Sequence, residues 1–315
     1  MTVRVGLIGA GVMGADHARV LAGSIDGATV GGVHDVDAKR AEAVGTHVYA
    51  DPFVLIDDGD IDAVLVASSD PTHEQFVLAA LATGKPVLCE KPLAPDVAGC
   101  LRIVDAELAL GRRLVTVGFM RRYDPGYVEL KRTLHAGEIG PAVLMHCVHR
   151  NATAPSTFTS NMLLTSSATH EIDISRWLFG DEIVAVTIHR PRASNRVGDT
   201  LQDPQLLIME LAGGVLVDVE VFVNAQYGYD VHCELVGEKG TAGASGSVTP
   251  DWRDRFAEAY RRELQDWVDG VAQGQARGAS AWDGYVATAV ARTAVSALDG
   301  GRKPVRLATK PVFYK

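Results

Sequence analysis

Cysteine is scarce in this 315-residue chain. There are four, at positions 89, 100, 147 and 233, and none stands in a CxxC pair. Such scatter argues against a disulfide framework and against a zinc site, so no metal is expected and the thiols read as reduced and cytoplasmic. Basic blocks are also missing. Thirty Lys and Arg face 39 Asp and Glu, for a net charge of -9. That balance argues against a nucleic-acid partner, and Arg121-Arg122 and Arg261-Arg262 are too short to reverse it. No apolar run is long enough to span a membrane. The apolar N-terminal run is interrupted by Asp16 and His17, unlike a signal peptide. There are no internal repeats and no long disordered linker. What is present is 47% hydrophobic residues over a length suited to about two domains.

Short apolar runs alternate with helical patterns through the first 120 residues. Strands are predicted at Val3–Ile8, Ala28–His34, Ala63–Ala67, Pro86–Cys89 and Leu114–Val117. Helices are predicted from the glycines at 9–14 to about Ala22, from near Asp37, and over Pro71–Ala82 and Pro95–Leu110. Strands separated by helices imply crossovers and a parallel sheet covered on both faces. After residue 121 the rhythm changes. A helical stretch at Tyr127–His135 leads into a strand ending at His149-Arg150-Asn151, then a helix near Leu163–Phe179. Strand-like runs follow at Ile183–His189, Leu206–Leu211, Val215–Val223 and Val231–Val236, with Gly213-Gly214 forming a hairpin turn. Gly240–Ser247 reads as a surface loop. Helical patterns return at Trp252–Val271 and Trp282–Leu298. The fold class is therefore α/β. Residues 1–121 form a dinucleotide-binding domain, and residues 122–315 a second α/β domain with a large, mostly antiparallel open sheet.

Gly9-Ala10-Gly11-Val12-Met13-Gly14 is a GxGxxG motif in its required context, after an apolar strand and at a helix start. The glycines permit a tight turn and close approach of backbone to a pyrophosphate, and the helix start offers open N–H groups. Asp35 ends the second strand, at the spacing of the acid that binds the adenine ribose. Its charge repels a 2′-phosphate and Val36 follows it, so NAD is expected over NADP. Helix capping is the alternative role for Asp35.

Cys89-Glu90-Lys91-Pro92 closes the fourth predicted strand. A lysine at the carboxyl end of an inner strand reaches the cofactor crevice, and Pro92 ends the strand. His170-Glu171-Ile172-Asp173 supplies a histidine suited to act as general base near neutral pH. His149 and Asn151 share one strand face, and of Tyr227 and Tyr229 one is expected to face a pocket and the other to face outward. Tyr229 is the one expected to face the pocket. Arg122 fits surface ion pairing more readily than Arg121 does.

Gly9–Gly14, Glu90-Lys91-Pro92 and the His170-x-x-Asp173 helix resemble the Gfo/Idh/MocA oxidoreductases. Further likeness lies at Gly118–Asp124, His149–Asn151, Tyr227–Asp230 and Ala281–Tyr285. The resemblance implies NAD-dependent oxidation of a cyclic polyol, foremost myo-inositol to an inosose, by a homotetramer. Its last helix could pack back on the first domain. By that likeness Lys91 and His170 act on the reacting hydroxyl, and Arg121, His149, Asn151, Ser166, Asp173 and Tyr229 line a polyol pocket. Glu90, Ser68 and His73 join Gly9, Gly11, Val12, Met13, Gly14, Asp35 and Lys91 around the cofactor. The family carries an aspartate four residues before the histidine, where this chain has Ser166. That serine leaves three readings open: an inositol dehydrogenase, a dehydrogenase of another cyclitol, aminocyclitol precursor or aldose, and an NAD-binding regulatory protein with an impaired site.

Overall fold

Strands buried on both faces need near-continuous apolar sequence. The runs Ala63-Val64-Leu65-Val66 and Val87-Leu88-Cys89-Glu90 meet that demand, with every residue buried. The computed structural model describes residues 2–195 and 201–314. The chain divides into two compact units. The first comprises Met1–Phe119, Tyr260–Thr288 and Thr309–Lys315, and the second Met120–Ala259 and Ala289–Ala308.

In the first unit the elements run β1 (Val3–Ile8), α1 (Val12–Ser24), β2 (Ala28–His34), α2 (Ala38–Ala43) and α3 (Pro52–Asp57). They continue with β3 (Ala63–Val66), α4 (His73–Thr83), β4 (Val87–Glu90), α5 (Val97–Leu110) and β5 (Val115–Gly118). The five strands are parallel in the order β2-β1-β3-β4-β5. The order turns back beside β1, which places a topological switch point, and hence a ligand crevice, between the carboxyl ends of β1 and β3. Aspartates start three of these helices. Asp37, Asp51 and Asp96 each accept a backbone N–H of the first turn. Leu264, Trp267 and Val268 join the core formed by β1, β3 and α1.

The second unit opens with α6 (Pro125–His135) and β6 (Ala142–Arg150). After a π-helical turn at Leu163–Ser167 come α7 (Thr169–Phe179), β7 (Ile183–His189), β8 (Gln205–Leu211), β9 (Leu216–Phe222), β10 (Asp230–Gly237) and β11 (Gly240–Ala244). Helices α8 (Trp252–Ala272) and α9 (Ala281–Ser296) each carry the chain from one unit to the other, and β12 (Lys303–Pro304) ends the sheet. Its order is β11-β10-β6-β9-β8-β7-β12, antiparallel except for the β6–β9 pair. Burial alternates along β8, one side fully buried and the other partly so. The Gly213-Gly214 turn is a hairpin, with Gly214 at φ +91.

Two sequence expectations are corrected. Gly240–Ala244 is a strand paired with β10 rather than part of a loop. Edge pairing is made by backbone groups, so small residues joined by a tight turn suffice. The stretch Leu163–Phe179 is two segments, not one helix. Ala168 donates its N–H five residues back to the Leu163 carbonyl, at 2.9 Å, before α7 begins. Among the described residues no helix is long and apolar enough to cross a membrane, and no cluster of acids, histidines and cysteines is placed to hold a metal.

Gly284 of α9 packs against the segment that follows Lys91. A Cβ there would lie 2.8 Å from the Leu93 Cβ and 3.1 Å from the Val117 Cγ2. Gly284→Ala is therefore expected to destabilise the protein by about 1–3 kcal/mol through overpacking, read as a lower urea midpoint at unchanged m-value.

Candidate functional site

The first unit holds a cleft of ≈ 310 Å³ lined by Gly9, Gly11, Asp35, Arg40, Ser68 and Phe76, among others. It lies at the carboxyl ends of β1, β2 and β3, because Gly9 reverses the chain at φ +93 and hands it to α1. Gly11 caps α1 with no side-chain hydrogen bond, so the helix start keeps its N–H groups open to a ligand. Val12 is exposed, Met13 half-buried and Gly14 buried. A Cβ on Gly14 would lie 1.8 Å from the Gly9 carbonyl oxygen, so the turn closes only around glycine. Asp35 accepts the Ala10 N–H at 2.6 Å and the Asp37 N–H at 2.8 Å. Its carboxylate thus braces the glycine turn while lining the cleft; Asp37, not Asp35, caps α2. Arg40 has its charge near Asp37, at 3.6 Å. These residues fit a dinucleotide: glycine backbone and a helix start for phosphates, an acid for ribose hydroxyls.

Lys91 stands immediately after β4 and is half-buried. Behind it, Glu90 is 6% exposed, with Oε1 2.7 Å from Nε2 of His17 on α1. Its Oε2 accepts the Lys91 backbone N–H at 3.2 Å. Burial pushes the Glu90 carboxyl up, but His17 and the neighbouring lysine outweigh it and hold it below its ordinary value. Gly118, opposite in β5, leaves the room this carboxylate occupies. His73 is buried, with Nδ1 2.7 Å from the Pro92 carbonyl and Nε2 3.0 Å from that of Ser68. It braces those two loops from within. The Ser68 hydroxyl meets that of Thr72 at 2.7 Å.

In the second unit α7 is buried almost all round, nine of its eleven residues being enclosed. Its charged residues are therefore paired. Glu171 receives Arg121, and His149 Nδ1 lies 3.0 Å from each of its oxygens. Asp173 takes Arg122 through two bonds of 2.8 and 2.5 Å, and Arg176 takes Glu182. Burial pushes Glu171 up, yet Arg121 and then His149 bring it down to about 2. The ring of His149 lies 6.4 Å from that of His170 and 6.1 Å from that of Tyr229. Tyr229 is 6% exposed, and burial raises its hydroxyl to about 12. Tyr227 is 54% exposed and bonds Arg150 and Asp230. The Oδ1 of Asn151, just beyond β6, is buried with no hydrogen-bond partner among the described residues. Ser166 lies in the π-helical turn, its carbonyl accepting the Thr169 hydroxyl at 3.1 Å.

Two members of these buried pairs, Glu171 and His17, escape sequence reasoning. Glu171 adjoins His170, but its burial shows only once α7 is enclosed. His17 lies three residues beyond Gly14, with nothing local to mark Glu90 as its partner.

Residues 3–119 match the oxidoreductase family with an NAD-binding Rossmann fold, and residues 127–243 match the GFO/IDH/MocA C-terminal domain. Inositol 2-dehydrogenase 1 of Saccharopolyspora erythraea is 56% identical, covering 100% of this chain and 99% of its own. An inositol 2-dehydrogenase of Klebsiella pneumoniae is 44% identical, with both chains fully covered. Among solved structures, myo-inositol dehydrogenase from Lactobacillus casei in complex with NAD(H) and myo-inositol superposes with a TM-score of 0.96, at 38% identity and full coverage of both chains.

The turn geometry predicts that Gly14→Ala weakens NAD binding at least about 100-fold, or roughly 2.7 kcal/mol, measured by calorimetric titration. Glu171 gives a pH prediction. A carboxyl depressed in the folded chain adds stability that is complete above its unfolded value of 4.5 and lost as pH falls toward about 2. Melting temperature should fall on acidification across that window, and part of the fall should be missing in Glu171→Gln. That variant should already be less stable at neutral pH, by about 3–5 kcal/mol, because Arg121 is left buried and uncompensated.

Proposed function

The chain belongs to the Gfo/Idh/MocA oxidoreductase family, and from that premise we propose that it is an NAD-dependent dehydrogenase of a cyclic polyol, oxidising myo-inositol to an inosose. The full-length likeness to inositol dehydrogenases carries this reading. When bound, NAD⁺ supplies a nicotinamide ring that accepts the hydride of the carbinol carbon. His170 takes the hydroxyl proton as the carbonyl forms, and the Lys91 ammonium stabilises charge on that oxygen. Glu90 and His17 hold the backbone from which Lys91 extends. His149, Asn151, Ser166 and Tyr229 meet other ring hydroxyls, since each hydroxyl left unmatched costs affinity. Arg121 and Asp173 act with them through their buried pairs with Glu171 and Arg122. Asp35 selects NAD over NADP by repelling a 2′-phosphate. A cytoplasmic homotetramer is the assembly that the likeness supports.

Ser166 favours a second reading. A serine rather than a carboxylate at that position suits another cyclitol, an aminocyclitol precursor or an aldose. A regulatory protein that binds NAD without hydride transfer is the third.

The test follows reduced-cofactor absorbance with NAD⁺ and a panel of inositols, aminocyclitols and aldoses. Myo-inositol is expected to lead. A large advantage for another member would support the second reading, and turnover of none would contradict dehydrogenase activity. Lys91→Ala should lower kcat at least about 1000-fold, or roughly 4 kcal/mol, while NAD affinity stays within about threefold. Ser166→Asp should raise kcat if the serine marks a weakened base, and lower it if the site is tuned around serine.

A further inference from the structure

Glu171 sits 1% exposed in the second unit, directly after His170. Both its oxygens lie 3.0 Å from Nδ1 of His149. Arg121 donates through Nη1 to Oε1, and its Nη2 stands 3.2 Å from the same Nδ1. One nitrogen cannot both donate to the carboxylate and accept from the guanidinium. Two anionic oxygens facing a bare lone pair would repel it in a site closed to water, where charge is poorly screened. The guanidinium already has its counter-charge in Glu171, so it loses less by missing a bond to the ring. The proton therefore resides on Nδ1. Arg121 already matches the Glu171 charge and stands 3.2 Å from the ring, so a neutral imidazole closes the charge balance; it carries one N–H, which leaves Nε2 with a lone pair. Nε2 has no hydrogen bond among the described residues, while the rings of His170 and Tyr229 stand nearby.

We propose that Glu171 is a positioning residue that holds His149 as the Nδ1–H tautomer, so that Nε2 accepts a hydrogen bond from a second hydroxyl of the polyol, other than the one being oxidised. This rests on the polyol reading above and deepens it. Arg121 completes the device by neutralising a carboxylate that could not otherwise be buried. The consequence is a polarity requirement at one ring position. A hydroxyl or ammonium group there can donate to Nε2. Hydrogen cannot, and neither can fluorine.

The tautomer can be read without substrate, from a long-range ¹H–¹⁵N spectrum of histidine-labelled wild-type protein, with His149 assigned by its loss in His149→Ala. The expected spectrum shows a protonated Nδ1 and an unprotonated Nε2; a protonated Nε2 overturns the proposal. Because no turnover is involved, this reading stands even if the panel shows no polyol oxidation, so the two failures are distinguishable. Kinetics supply the second arm. Glu171→Gln is expected to raise KM for myo-inositol roughly 10-fold, the worth of about one neutral hydrogen bond. KM for NAD⁺ and kcat should change little, and Glu171→Asp should recover most of the loss. In the His149→Ala background Glu171→Gln should add no further rise. An equal rise with and without His149 would mean a structural role only and would overturn the proposal. If Glu171→Gln does not fold, the spectrum of the wild type decides. Monodeoxy and deoxyfluoro inositols give a third readout. At one position both should lose affinity alike, and a fluoro analogue as good as the parent there would contradict an acceptor at Nε2.

Discussion

An ionised carboxylate with no access to water costs several kcal/mol unless opposite charge and hydrogen bonds replace its solvation. Glu171 is such a group, and the inner face of the second unit is arranged around it. Arg121 must be buried beside it, and His149 must turn Nδ1 toward it. His149 sits on β6 opposite Val221 of β9 and Val231 of β10. Helix α7 can then be enclosed almost all round although it carries three charged residues besides His170, because each has a partner at hand. One unmatched charge on that helix would disrupt the set. Removing a single partner therefore costs more than the pair itself contributes.

The first unit repeats the principle at smaller scale. Glu90 is buried at the end of β4 and compensated by His17, one turn beyond the glycine fingerprint on α1. The strand that presents Lys91 and the helix that starts at the cofactor turn are thereby tied by one bond of 2.7 Å. Asp35 does the same for the turn itself, holding the Ala10 N–H from the end of β2. Side chains that a sequence motif would assign to ligand alone thus also hold the loops in place. Conformational freedom at these loops is lost on folding rather than on ligand binding, which favours affinity.

Much of this architecture was legible in the residues. Continuous apolar runs separated by helical patterns specify a parallel sheet with covered faces, and Gly9, Gly11 and Gly14 mark where its ligand crevice opens. Lys91 stands out by its place after an inner strand and His170 by its chemistry, and family likeness joins the two in one expected reaction. Other features were hidden for physical reasons. Glu171 and His17 are ordinary surface types by composition, and only tertiary burial makes them partners. The π-helical turn before α7 follows from a displaced backbone hydrogen bond at Ala168, which side-chain pattern does not encode. Gly240–Ala244 lacks the β-branched residues that announce a strand, yet an edge strand can form on backbone pairing alone.

The proposed reaction moves a hydride from a cyclitol carbon to NAD⁺. Inositol carrying deuterium at every ring carbon tests it most directly. After incubation with NAD⁺ and the protein, the reduced cofactor should be one mass unit heavier by mass spectrometry, in amounts matching the ketone formed. Reduced cofactor that carries no deuterium, or a ketone formed without it, would contradict the account.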